Sequence, residues 1–416
     1  MYRILIVADL NNPNINLGTQ FGLTKGYYLA RAFARLGHQV DYLIHSPGSV
    51  RDNIRYLNIS DLKTLNDYHI LIFSMEMMMP TIWDKSPVIW EYISQNKSKR
   101  IGPKIIVRSD NPLWYKKKIF ARLKKPKSWV ISHIDYISSQ TEELKNLAIN
   151  AGIPPKMLIV SNMAVWDQWD QWDQVMQNPY DLKHQYCVES VAQLTYGKAL
   201  LPRIYLEHPE LRKNFDVTKY IIVYIGRVKS DNGRIFNNMS NIMKILGDQY
   251  ELHIFPASFY LPGTTKRMSA RNVHHLGLLR DQVFADSTNI IIHHPYHHDK
   301  GYSYLFYAHC GIDFSHMRPN KGHQMEGHAK ILDYSSAGLP IVCEENIGNL
   351  FVVKNAGNAI ILPYMASDQM YALAIRKIVE EQHIDREKAR QITLNNENWI
   401  KRAQELISQI SVPKNK

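Results

Sequence analysis

A strand, a loop, a helix and a second strand follow one another at two places in this chain, and that recurrence limits what it can fold into. The first begins with YRILIVADL, a continuous apolar run of the kind a parallel sheet buries on both faces. The polar loop NNPNINLGTQFG comes next. LTKGYYLARAFARLGHQV then places Leu23, Tyr27, Ala30, Phe33 and Ala34 at helical spacing. Gly37 stands where a helix C-terminal glycine belongs, and QVDYLI is the next strand. HILIFS (69–74), KIIVRS (104–109), YISSQ (136–140) and MLIVSN (157–162) extend the series. The pattern restarts at KYIIVYIGRV (219–228), with FNNMSNIMKILG as a helix and YELHIFP as a strand. VHHLGLL, TNIIIHHP and GLPIVCE read as further short strands.

This order predicts an α/β protein with two successive Rossmann-like sheets. The 416 residues suffice for two domains. Residues 1–165 are expected to form the first and 219–384 the second. Residues 166–218 are a more polar linker or insertion, with the repeat WDQWDQWDQ (166–174) read as a duplicated surface segment rather than an acceptor- or membrane-touching loop. The amphipathic stretch within 385–412 is expected to be a helix that packs back on the first domain.

The three cysteines are far apart and odd in number, which argues against a disulfide framework and for a reducing compartment. No apolar run approaches the roughly 20 residues of a spanning helix. MYRILIVADL reads as a buried strand rather than a leader. A cytoplasmic protein is expected, one able to sit at the inner face of a membrane. The net charge of +12 favours an anionic partner.

Three segments carry candidate chemistry. In LGTQFG (17–22), glycines between a strand and a helix let backbone approach a ligand, although a tight turn explains them equally. It is not GxGxxG, which argues against a dinucleotide fold. In IGRVKSDNGR (225–234), Gly226 ends a buried strand and Arg227 emerges at its carboxyl end, suited to a diphosphate or to a surface ion pair. In EGHAKILDYSSAGLPIV (326–342), Glu326, Lys330 and Asp333 share one helix face, either as an exposed ion-pair stripe or as a ligand site. The following ENIGNLF is expected to be a loop whose N–H groups face phosphate. The run HHPYHH (293–298) has metal-ligand spacing without a neighbouring base or thiol and reads as a polar loop.

Taken in order, YIGRV, VHHLGLL, NIIIHHP, GHAKILDYSSAGLPIV and IGNLFVVKNAGNAIIL resemble the donor domain of GT-B glycosyltransferases, especially the retaining family 4 group. The resemblance covers roughly 220–365; the first half is similar only in architecture. It implies two Rossmann-like domains facing each other across a cleft, with a nucleotide-diphosphate sugar, UDP- or GDP-linked, as donor substrate. No cofactor and no metal are implied. Arg227 and Lys330 would neutralise the diphosphate. Asp333, beside Glu326 and Tyr334, would bind ribose, and Gly277 and Leu278 would lie near the base. Gly226 and the backbone of Ile347, Gly348, Asn349 and Leu350 would hold phosphate or sugar. Gly18 and Asp110 would line the opposite wall. The sequence departs from the family at Asn232, where a lysine is common, and at Met325, where a glutamate is common; the Lys330–Tyr334 form matches a variant within the group.

The acceptor is expected to be a glycan or a lipid-linked saccharide. WYKKKIFARLKKPKSW (114–129) interleaves Lys116, Lys117, Lys118, Arg122, Lys124, Lys125 and Lys127 with aromatic residues, a composition that suits an anionic membrane or a nucleic-acid backbone as well as a solvated loop. The alternatives are a DNA-base-modifying glucosyltransferase, a sugar-nucleotide epimerase, and a catalytically degenerate nucleotide-sugar-binding protein.

Overall fold

The computed structural model describes residues 1–8, 21–74, 87–95, 102–109, 127–165, 219–228, 234–264, 266–270, 272–293, 305, 308–314, 328–382 and 384–410. They form two compact units: one holds the described residues up to 165 and from 397 onward, the other those between.

The first unit is built on eight strands: β1 (Arg3–Val7), β2 (Gln39–Ile44), β3 (Ser49–Arg51), β4 (Ile54–Asn58), β5 (Ile70–Ser74), β6 (Lys104–Ser109), β7 (Tyr136–Ser139) and β8 (Leu158–Val160). They lie in the order β3-β4-β2-β1-β5-β6-β7-β8. Every pairing is parallel except the β3–β4 hairpin. The hairpin has no counterpart among the strands expected from the sequence; its turn uses Asp52 and Asn53 at φ 53° and 60°, residues that tolerate the left-handed region. The helices are α1 (Phe21–Arg35), α2 (Pro87–Gln95), α3 (Lys127–His133) and α4 (Glu142–Asn150). Lys127, counted above among the basic residues of 114–129, reaches the carbonyl of Ala151 at 3.5 Å, at the C-terminal end of α4.

Helix α1 is buried from Gly26 to Phe33, because β1 and β2 lie under it and the C-terminal helix, Trp399–Gln409, packs against it. Gly26 makes the seating possible: a Cβ there would lie 2.3 Å from the Cβ of Ala8. The C-terminal segment differs from the single helix expected over 385–412. It is two helices, Arg386–Asn396 in the second unit and Trp399–Gln409 in the first. Asn398 divides them: it is extended, at φ −95° and ψ 156°, and its side chain accepts from Lys401 N–H. Only the second helix packs back on the first unit. The interval 166–218, with its WDQ repeat, lies outside the described residues.

The second unit contains β9 (Tyr220–Gly226), β10 (Tyr250–Pro256), β11 (Ser258–Tyr260), β12 (Arg267–Ser269), β13 (Ile290–Ile292), β14 (Cys310–Asp313), β15 (Ile341–Glu344) and β16 (Ala359–Leu362). Its main sheet runs β13-β10-β9-β14-β15-β16 and is wholly parallel, with β11 and β12 as a separate hairpin. Helices α5 (Arg234–Leu246), α6 (Val273–Val283), α7 (Ala329–Ser336), α8 (Ile347–Ala356), α9 (Asp368–Arg376) and α10 (Arg386–Asn396) accompany it. One strand expectation is corrected here, and one strand was not expected. VHHLGLL is helical, because Asn272 caps it by accepting from His274 N–H at 3.0 Å. The third strand is therefore the one in TNIIIHHP. CGID, too short and interrupted by Gly311 to stand out by pattern, is the central strand β14.

A polar chain runs through this sheet. Lys219 pairs with Glu251 at 3.2 Å, and His253 Nε2 lies 3.4 Å from the Glu251 carboxylate. His293 Nε2 lies 3.0 Å from His253 Nδ1, and its ring stacks on Phe255. Burial pushes the His253 pKa down, with Glu251 opposing, so the ring is neutral in the fold. Burial pushes Glu251 up, but His253 and Lys219 outweigh it, and its carboxyl lies below the usual range. Unfolded, His253 takes a proton near pH 6.5, so the denatured state binds more protons than the native one below that point. The stability this contributes is complete above about pH 6.5 and is lost as pH falls toward the lowered native pKa. The melting temperature is expected to fall on acidification through this window. His253→Leu should flatten that slope relative to wild type; an unchanged slope would remove His253 as its source.

Candidate active site

In both sheets the chain reverses direction beside the first strand: β1 lies between β2 and β5, and β9 between β10 and β14. Open α/β sheets bind ligands outside the carboxyl ends of the strands at such a reversal. In the second unit that point is flanked by Gly226, which ends β9, and Asp313, which ends β14.

Lys330, in the first turn of α7, fills the place between them. Its Nζ is 3.1 Å from Asp313 Oδ1 and 4.0 Å from the centre of the Tyr224 ring, a cation–π contact. Its Cε would lie 3.8 Å from a Cβ on Gly226, whose φ of +98° itself favours glycine. Burial pulls the amine's pKa down, but Asp313 and Tyr224 more than offset it, so the amine is held charged. The fold thus brings Gly226 and Lys330 side by side.

Asp313 is 1% exposed and is the hub of the cluster. His328 Nδ1 lies 2.5 Å from its Oδ2, and Asn349 Nδ2 donates to the same oxygen at 3.4 Å. Asn349 Oδ1 in turn accepts from His328 N–H at 2.6 Å. The Asn346 side-chain oxygen accepts from Gly348 N–H at 2.8 Å, which turns its amide nitrogen toward His328 Nε2 at 3.5 Å. That orientation leaves Nε2 as the acceptor and puts the imidazole proton on Nδ1, donated to Asp313. The positive ends of α7 and α8 meet near this carboxylate. A second acid–base pair stands on the same sheet edge: Arg234, first in α5, reaches the buried Glu344 at the end of β15 at 3.4 Å.

Several expected ligand residues are placed otherwise. Tyr334 is fully buried, and its hydroxyl accepts from Ile225 N–H at 3.1 Å and faces the carbonyls of Val223 and Ile312 at 3.2 and 3.3 Å. It pins β9 to β14 where their ladder ends, and its ring lies where a Cβ on Gly311 would be 2.7 Å away. It is part of the core rather than of a binding surface. Gly277 and Leu278 lie inside α6, and a Cβ on Gly277 would meet nothing within 4 Å. The segment from Ile347 is the first turn of α8, not a loop. Its N–H groups at Gly348, Asn349 and Leu350 are taken by Asn346, the last two through its carbonyl at 2.9 and 3.0 Å. Asp333 stands half-buried on α7, one turn after Lys330, and Arg227 is exposed just past β9. Gly18, Asp110 and Glu326 lie outside the described residues, as does HHPYHH beyond His293. Among the described residues, no group of three His, Cys, Asp or Glu side chains could hold a metal ion.

Sequence reasoning missed Asp313, His328, Asn346 and Glu344. The usable signal for Asp313 and Glu344 was an acid closing a short apolar run. His328 was visible only as the residue before a helix.

No family model and no curated protein matches the sequence. Solved structures do match in shape. HepE of Anabaena, determined with UDP-glucose, superposes with a TM-score of 0.62 at 10% identity, over 99% of this chain and 100% of that one. The fold is GT-B. Sucrose-phosphate synthase of Thermosynechococcus elongatus gives a TM-score of 0.62 at 12% identity, over 98% of each chain. The UDP-forming α,α-trehalose-phosphate synthase of Burkholderia xenovorans, with glucose-6-phosphate, gives 0.59 at 10% identity, over 98% of this chain and 99% of that one. At these identities the GT-B likeness extends to the course of the backbone and not to individual side chains.

Proposed function

We propose that this protein is a glycosyltransferase that moves a sugar from a nucleotide-diphosphate sugar to an acceptor. The observation that carries the reading is Lys330, a charged amine held between Gly226 and Asp313 at the strand reversal of the second GT-B unit. A cation there suits a diphosphate leaving group, which builds negative charge as the sugar departs. Arg227, at the end of the same strand, would share that charge, and the helix N-termini beside Asp313 would add to it. Cationic side chains in this role make a metal unnecessary. Asp333 would hold ribose. Retention of configuration follows from the family 4 resemblance.

UDP is the favoured nucleotide, since HepE was determined with UDP and with UDP-glucose; GDP is the competing choice. For the acceptor, a saccharide or lipid-linked saccharide is favoured, approached from the first unit with Asp110 and Gly18 on its wall. The basic segment 114–129 would rest on an anionic membrane. No described helix is long and apolar enough to cross one.

The test is a thermal-shift panel of UDP, GDP, ADP, CDP and their sugars, followed by analysis of the incubated donors. A shift with one diphosphate and slow release of sugar from its donor is expected. A shift without turnover would indicate a binding protein, and an epimerised donor an epimerase. No shift with any nucleotide would overturn the donor site.

A further inference from the structure

We infer that Asp313 is a positioning residue that moderates the hold of Lys330 on the donor's diphosphate and so lets the nucleoside diphosphate leave. The inference rests on the proposed donor site. Asp313 is a buried carboxylate at the end of the central strand, 3.1 Å from the Lys330 amine. It is not a loose counter-ion. His328 Nδ1, Asn349 Nδ2 and Lys330 converge on it from the starts of α7 and α8. The Asn346 amide nitrogen faces His328 Nε2 and leaves it the acceptor, so His328 donates to Asp313 from Nδ1. Asp313 thus places a carboxylate directly behind the Lys330 amine.

A diphosphate approaching Lys330 meets an amine whose charge is already half spoken for, with a carboxylate behind it. Opposite charge attracts the phosphate and like charge repels it at similar range, so its ground-state affinity is lower than Lys330 alone would give. In the transition state the leaving diphosphate gains charge, and the amine can lean from Asp313 toward it along the Tyr224 ring, which stays beneath the cation. After sugar transfer, Asp313 recovers the amine as the product departs. Such an arrangement favours turnover over tight product binding.

The prediction has an unusual sign. Asp313→Asn keeps one oxygen to accept from His328, turns an amide nitrogen toward Lys330 and removes the charge. It should tighten binding of UDP and of inorganic pyrophosphate by about tenfold, the scale of one charged contact, and leave uridine unchanged. UDP inhibition should deepen while kcat falls. In a Lys330→Met background the same substitution should gain clearly less, because it relieves the carboxylate's direct repulsion but frees no amine for the phosphate. A merely structural Asp313 would instead weaken uridine and UDP alike. Weaker or unchanged diphosphate binding in Asp313→Asn, or the same gain without Lys330, overturns the inference. Where Asp313→Asn is too unstable to purify, Asp313→Glu, which moves the charge by one methylene, should alter affinity for pyrophosphate but not for uridine. Equal change in both overturns the inference. Donor turnover by the wild type judges the transferase reading separately. A protein that binds pyrophosphate through Lys330 but turns over no sugar nucleotide would keep the role of Asp313 and remove the transferase.

Discussion

Lys330→Ala is expected to destabilise the second unit by about 3–5 kcal/mol, the range for breaking a buried ion pair by removing one partner. The cost comes mainly from Asp313. Its carboxylate is buried, and His328 and Asn349 still donate to it but do not replace the amine's charge. The lost stem also uncovers the Tyr224 ring on which it lies. Two comparisons separate these terms. Lys330→Met restores apolar contact with the ring and should recover only a small part. Lys330→Met combined with Asp313→Asn removes both charges and should recover most of it, since replacing a buried pair whole is far less costly than halving it. Equilibrium urea unfolding of the three variants checks the order. If the double variant is as unstable as Lys330→Ala, the loss is one of packing and not of charge. The same substitution should weaken nucleoside diphosphate binding by about 1.5–3 kcal/mol, the worth of a charge-assisted contact. A Lys330→Met protein that folds and binds UDP as wild type does would take Lys330 out of the donor site.

The parts of this site that were legible in the sequence are those that local pattern dictates. A buried strand ending in glycine and arginine fixes where Gly226 and Arg227 emerge, and a helix leading through Ala-Gly-Leu-Pro into a buried strand fixes the orientation of Lys330. What was not legible depends on distant partners. Lys330 read as a cation facing solvent and ligand. Its carboxylate partner, Asp313, lies 17 positions earlier in a strand too short to show periodicity. Asp333-Tyr334 read as a paired ligand motif, yet the tyrosine is a pin between strands, a role set by Gly311 making room beneath its ring. The error at VHHLGLL has a local cause. The run is apolar enough for a buried strand, and Asn272 capping it is the one cue that it begins a helix. With that segment helical, the next strand takes the outer position in the sheet, and the base-binding role assigned to Gly277 and Leu278 loses its basis. The single C-terminal helix failed for a related reason: Asn398 suits a helix interior poorly but an N-cap well.

Gly338→Ala should cost about 3 kcal/mol or more, through a contact that the sequence does not reveal. Gly338 follows α7 at φ +63° and closes its end: its N–H donates to Ser335 and the next N–H, from Leu339, to Tyr334, both at 2.9 Å. A side chain in this conformation costs about 1 kcal/mol by itself. Here a Cβ would also lie 2.0 Å from the Arg386 carbonyl oxygen and 2.7 Å from its carbon, which are backbone atoms at the start of α10. Those atoms are poorly placed to yield, since the Arg386 guanidinium is anchored on the carbonyls of Leu305 and Ala308 at 3.1 and 2.9 Å. Relief must come from α7, which would shift along its two turns and carry Lys330 away from Asp313. Gly357 supplies the control. It closes α8 at φ +68°, and a Cβ there would meet nothing within 4 Å, so Gly357→Ala should lose only the conformational share, about 1 kcal/mol. Urea unfolding of the two alanine variants measures the difference, and UDP affinity of the Gly338 variant reports whether the loss reaches the site. Equal losses would mean that the first turn of α10 gives way and that α7 keeps its position without a wall behind it.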